Sequence, residues 1–135
     1  MININSLKRQ HDEISEAIKN VKNLIAGDKL ESEANEAAML INTLAGKLKI
    51  HLNTEDKYMY PDLLKNESSQ VRDTAKLYIE EMGKISEVFT QYKDKFNTRS
   101  KITANLEGFI AESNRVFSIL ESRIDKEETS LYTAL

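Results

Sequence analysis

Apolar residues recur along this chain at a spacing of about 3.5 residues, the period of helices that pack on one another. A first stripe runs through Leu7, His11, Ile14, Ile18, Val21 and Ile25. A second runs through Ile41, Leu44, Leu48, His51, Glu55 and Tyr58. The third is the longest and most aromatic: Val71, Ala75, Tyr78, Met82, Ile85, Phe89, Tyr92 and Phe96. The fourth carries Ile102, Leu106, Phe109, Ser113, Val116, Leu120, Arg123 and Glu127. The breaks between them are legible. "AGDK" at Ala26 to Lys29 offers a C-terminal glycine and a turn. "KNESSQ" at Lys65 to Gln70 offers capping serines for the third helix, and "NTRSK" at Asn97 to Lys101 does the same for the fourth. Short connections make sequential helices antiparallel neighbours. The expected fold is all-α: an up-down-up-down antiparallel four-helix bundle over residues 1–135, built as two helical hairpins, about 1–65 and 66–135. Gly46, Gly83 and Gly108 fall inside these helices and off the stripes, and the pattern does not account for them.

Five stripe positions are ionisable where the pattern calls for apolar residues: His11, His51, Glu55, Arg123 and Glu127. Burying unpaired charge is costly. His51 and Glu55 stand four residues apart, hence on one helix face, and Arg123 and Glu127 repeat that spacing. His11 lies about two turns into its helix, and His51 and Arg123 about three turns before the ends of theirs. In antiparallel neighbours those levels coincide. Taken singly, each residue reads as a boundary or snorkelling side chain. Taken together, five at one level point to a shared inner polar site.

Composition narrows the function. The 135 residues suit one domain, and the formal net charge of -3 without a basic stripe speaks against nucleic acid. No cysteine is present, which excludes disulfides and thiolate chemistry. The opening "MININSLKRQ" lacks the apolar run of a secretion signal, and no stretch reaches the ~20 apolar residues of a membrane span. The expectation is a cytoplasmic protein that engages neither membrane nor nucleic acid, with a small ligand or protein partner of unknown identity and self-association left open.

Two stretches look like copies. "HLNTEDKYMYPDL" spans His51 to Leu63 and "RIDKEETSLYTAL" spans Arg123 to Leu135. His51 aligns with Arg123, Glu55 with Glu127, Asp56 with Glu128 and Tyr60 with Tyr132. A similar overlay of the first helix on the third sets His11 against Met82. Each hairpin then holds three residues, His11, His51 and Glu55 in one and Met82, Arg123 and Glu127 in the other. Inward histidines and carboxylates in a bundle core are a recurrent way to bind two irons. Over essentially its whole length the chain resembles the hemerythrin-like (HHE cation-binding) family, on the strength of His11 and the His-x3-Glu, aromatic-proline pattern of "HLNTEDKYMYPDL". The resemblance implies a further histidine on helix three and another heading the last motif. Met82 and Arg123 stand there instead.

These departures change the chemistry. A thioether is a poor partner for oxidised iron, and a guanidinium has no lone pair to give. Arg123, bridging Glu55 and Glu127, together with a protonated histidine, could neutralise the site without metal. The expected function is a non-enzymatic binding or regulatory module with a partly lost di-iron site and little or no metal. The alternative is a mononuclear iron protein that senses or carries oxygen, nitric oxide or peroxide. In that alternative His11, His51 and Glu55 are the ligands, and Glu127 joins them if Arg123 swings away. Cofactor expectations are therefore none or a single iron, with di-iron disfavoured. Met82, Arg123, Tyr58 and Tyr78 are expected to line the site.

Overall fold

The computed structural model describes residues 3–135 and is all-helical, with no strand among the described residues. Helix α1 spans Ile4–Ala26, opened by Asn3, whose side chain accepts from the Asn5 N–H at 2.9 Å. α2 spans Ala34–Thr54 and is followed by a π-helical turn, Glu55–Met59, and a last short helix, α3, Tyr60–Leu63. α4 spans Ser69–Phe96, with Ser68 capping the Val71 N–H as its sequence suggests. α5 is the five-residue helix Arg99–Thr103. α6 spans Leu106–Lys126 and runs into a second π turn, Glu127–Leu131. No described helix is long and apolar enough to cross a membrane.

α1 lies along α2, and α4 along α6. Ala34, Ala37 and Ala38 are buried in the first pair, where small side chains let the helices approach. The apolar core falls into two clusters. The larger contains Ile14, Leu48, Met82 and Leu120; the smaller contains Leu7, Met59, Tyr60, Tyr78, Leu131 and Tyr132. On each long helix the sequence passes from one cluster to the other through the same level. Leu7 and Ile14 flank His11. Leu48 and Met59 flank His51 and Glu55. Leu120 and Leu131 flank Arg123 and Glu127. On α4 the boundary falls between Tyr78 and Met82. A buried polar layer thus separates two apolar ones.

Three details differ from the sequence reading. At the end of α1 the left-handed residue is Asp28 (φ 55°), not Gly27 (φ -80°); a short polar side chain tolerates that conformation. The fourth stripe is interrupted: Ile102 is buried from α5, which packs on α2, and α6 begins only after Asn105 leaves helical geometry and caps the Gly108 N–H at 3.0 Å. That cap also explains Gly108, where a Cβ would stand 2.2 Å from the Asn105 amide nitrogen. Third, Tyr58 does not line the site. The π turn advances the buried face by one residue, so Met59 and Tyr60 turn inward and Tyr58 is 53% exposed.

Candidate metal centre

Both π turns begin at the inward glutamate and close in the same way, with the Tyr60 N–H donating to the Glu55 carbonyl and the Tyr132 N–H to the Glu127 carbonyl. A π turn places one more residue in the turn than an α-helix does. The glutamate and the tyrosine five positions on therefore both face the core. Glu55, Glu127, Tyr60 and Tyr132 are all buried as a result.

Four ligand-type atoms, one each from His11, His51, Glu55 and Glu127, lie within 4.8 Å of one another, and all four residues are buried. His11 Nε2 is 2.8 Å from Glu127 Oε1. His51 Nε2 is 3.3 Å from Glu55 Oε2 and 3.4 Å from Glu127 Oε1. The two imidazoles sit with centroids 4.5 Å apart. Their outer nitrogens are held from behind. His51 Nδ1 is 2.8 Å from Gln10 Oε1, and the Gln10 amide is oriented by donating to Thr54 Oγ1 at 3.1 Å. His11 Nδ1 is 2.8 Å from Glu128 Oε2. Each Nδ1 therefore donates outward, which turns Nε2 into the cluster. Such backing by a carboxylate or amide oxygen is how proteins orient imidazole ligands.

With Nδ1 donating outward, a neutral imidazole presents Nε2 to the carboxylates as an acceptor, so the inner groups need a cation or added protons between them. Tyr132 Oη lies 2.9 Å from Glu55 Oε2, 3.1 Å from His11 Nε2 and 3.3 Å from Glu127 Oε1, but has one proton to give. Glu55 Oε1 is buried with no hydrogen-bond partner. An orphaned carboxylate oxygen in a residue with no exposed surface calls for a cation or a proton. The donor set, two imidazoles and two carboxylates, fits a metal ion of intermediate hardness.

Without a metal, protons meet that need. Burial holds the Glu55 carboxyl above the usual range, and the neighbouring Glu127 charge adds to this. Burial pushes Glu127 the same way, but hydrogen bonds from His11, His51 and Glu55 and the Arg123 charge outweigh it and hold the carboxyl far below its ordinary value. Burial would lower His51; its hydrogen bonds to Glu127 and Glu55 win and raise it to about 9. The Tyr132 phenol, buried beside the Glu55 and Glu127 charges, is pushed up and keeps its proton.

Arg123 sits in the layer but does not bridge the two glutamates. Its Nε donates to Glu127 Oε2 at 2.9 Å. Its Nη2 donates to Tyr60 Oη at 3.0 Å and to the Tyr78 carbonyl at 2.8 Å, and the guanidinium lies over the Tyr78 ring at 4.5 Å. Glu55 receives no hydrogen bond from it; Tyr132 and His51 are the partners of Glu55 Oε2. Nor must Arg123 swing away for Glu127 to join the cluster, since the carboxylate gives Oε1 to the histidines and Oε2 to the guanidinium. Tyr78 is buried, but its hydroxyl reaches the Lys126 carbonyl at 3.4 Å and not the cluster. Met82 is buried in the larger apolar cluster. Sequence reasoning missed Gln10 and Glu128 as partners of the histidines and left Tyr60 and Tyr132 without a role. The alignment of the two motifs paired Tyr60 with Tyr132, and that was the available signal.

A helical bundle with histidines and glutamates turned into its middle defines a cation-binding class. The family model described as the hemerythrin HHE cation binding domain matches residues 3–135, and the chain belongs to that family. No curated protein and no solved structure gives a significant match.

Proposed function

We propose that this is an up-down-up-down four-helix hemerythrin-like domain whose di-iron site has been reduced to one metal position, held by His11, His51, Glu55 and Glu127. In this reading it is a non-catalytic cytoplasmic module that binds a single ferrous ion. The ion, when bound, supplies a redox-active coordination position for a small ligand such as oxygen, nitric oxide or peroxide. The chain's own residues do the rest. Gln10 and Glu128 hold the imidazoles, Tyr132 donates to Glu55, and Arg123 compensates Glu127 where a second metal would otherwise stand. The Met82 and Arg123 replacements, the common π turns and the paired motifs support the view that one half of a duplicated site was kept and the other converted to a guanidinium.

The observation that carries the proposal is the buried cluster of four ligand residues, one of which, Glu55, keeps its second oxygen, Oε1, without a hydrogen-bond partner. Anaerobic ferrous titration tests it. One saturable equivalent per chain, abolished in His51→Ala, is expected; two equivalents, or none, overturns it. A second reading, a metal-poor binding module, draws on the same charges. With His51 protonated and Arg123 on Glu127, the two carboxylates are compensated without metal. The absence of saturable binding selects that reading.

A further inference from the structure

We propose that the groove between α4 and α6, outside Arg123, binds a small organic carboxylate. The groove has a volume of about 450 Å³ and is distinct from the metal cluster. Its charged lining is one-sided: Arg115, Arg123 and Lys126 against the single carboxylate of Glu81.

Arg123 is the informative member. It is 4% exposed, and three of its five N–H donors are spent on Glu127, Tyr60 and the Tyr78 carbonyl. The remaining two are on Nη1, whose one partner is Glu81 Oε2 at 3.5 Å, the outer limit of a hydrogen bond. Glu81 is itself 40% exposed and loosely held. A planar carboxylate arriving in the groove can take its place at shorter distance, and a nearly buried guanidinium binds such a group more strongly than a surface one does. Lys126 and Arg115 add positive charge, and Ser122 adds a hydroxyl on the α6 wall. Ile85 and Ile119 supply apolar sides, which suit a ligand with a body of a few carbons and not a bare inorganic anion. Arg123 lines this groove, where its Nη1 faces Glu81, and donates from Nε to Glu127, so the same side chain serves the groove and the polar layer.

The test uses the full chain without added iron, so its outcome is separate from that of the metal reading. Benzoate, inorganic phosphate and chloride at matched ionic strength are titrated while backbone amide shifts are followed. Saturable benzoate binding is expected, with shifts centred on Ile85 and Ser122. Lys126→Ala should weaken it roughly fivefold, and Glu81→Gln should tighten it by a similar factor, because the resident competitor is lost. Both positions lie on the groove rim, so the fold is spared. No saturation by concentrations on the order of tens of millimolar overturns the proposal. So does binding of phosphate or chloride as tightly as benzoate, or benzoate binding that Glu81→Gln weakens or leaves unchanged.

Discussion

Replacing Arg123 with methionine is the sharpest perturbation of the polar layer. Methionine keeps much of the stem's volume and removes the guanidinium. Three hydrogen bonds of 2.8–3.0 Å go with it. The decisive loss is at Glu127, whose Oε2 has that guanidinium as its partner while the residue is only 1% exposed. Stranding a buried charge in this way costs about 3–5 kcal/mol, far more than a surface pair returns. Unfolding entropy grows by about 2.1 cal/mol/K per residue, so for this chain the melting temperature should fall by roughly 10–18 °C. Urea denaturation of the metal-free protein, followed by far-ultraviolet circular dichroism, measures the loss. Arg115→Met, on the exposed face of α6, is the control and should stay within about 0.5 kcal/mol of the parent. Adding Glu127→Gln to Arg123→Met should return part of the deficit, because a neutral amide no longer needs the cation. If Arg123→Met costs less than about 1 kcal/mol, or if Glu127→Gln deepens the deficit additively, the guanidinium–carboxylate pair is not what holds this layer together.

The remaining expectations rest on other parts of the structure. For the metal-free chain, His51 is raised from 6.5 to about 9 on folding, so its contribution is complete below pH 6.5 and is lost as pH rises through 9. The shift corresponds to about 3 kcal/mol, and Glu55, also raised, acts in the same sense. Glu127, lowered, acts oppositely, so stability should also fall as the medium is acidified below the ordinary carboxylate range. Denaturation midpoints from pH 4 to 10 should peak at about pH 5 to 6.5, and a midpoint still climbing at pH 9 contradicts the assignment. Gln10→Ala releases His51 Nδ1 and should weaken ferrous binding by about 10–100-fold with little change in fold; equal affinity in the titration would show that the imidazole does not need this support. Gly46→Ala and Gly83→Ala should each raise stability by about 1 kcal/mol in urea melts, since a Cβ at either helical site meets nothing within 4 Å.

Much of the architecture was legible as period and punctuation. The four stripes contain His11, His51, Glu55, Arg123 and Glu127, and all five are buried at one level. That follows from elementary energetics: residues at core spacing must go inside, and ionisable ones go inside only in company. The serine cap of α4 was equally local. What failed to show in the sequence was the geometry that arises when the helical repeat is broken. A π turn has no residue signature of its own, so Tyr58 read as inward when Met59 and Tyr60 take its place. Asn105 leaving helical geometry, which separates Ile102 from α6, is likewise a choice the stripe does not reveal.

The partition within the polar layer was a matter for tertiary structure alone. Sequence determined that two histidines, two glutamates and one arginine would meet, and that the second motif carried a guanidinium where the first carried an imidazole. It did not determine that Glu127 would face both ways, that Gln10 and Glu128 would back the histidines, or that Tyr132 would reach across to Glu55 while Tyr60 met Arg123. Those pairings join residues up to 117 positions apart. Hydrogen bonds act over about 3 Å and depend on angle, so they are settled by how helices rotate and slide against one another, and residue order along the chain does not encode that.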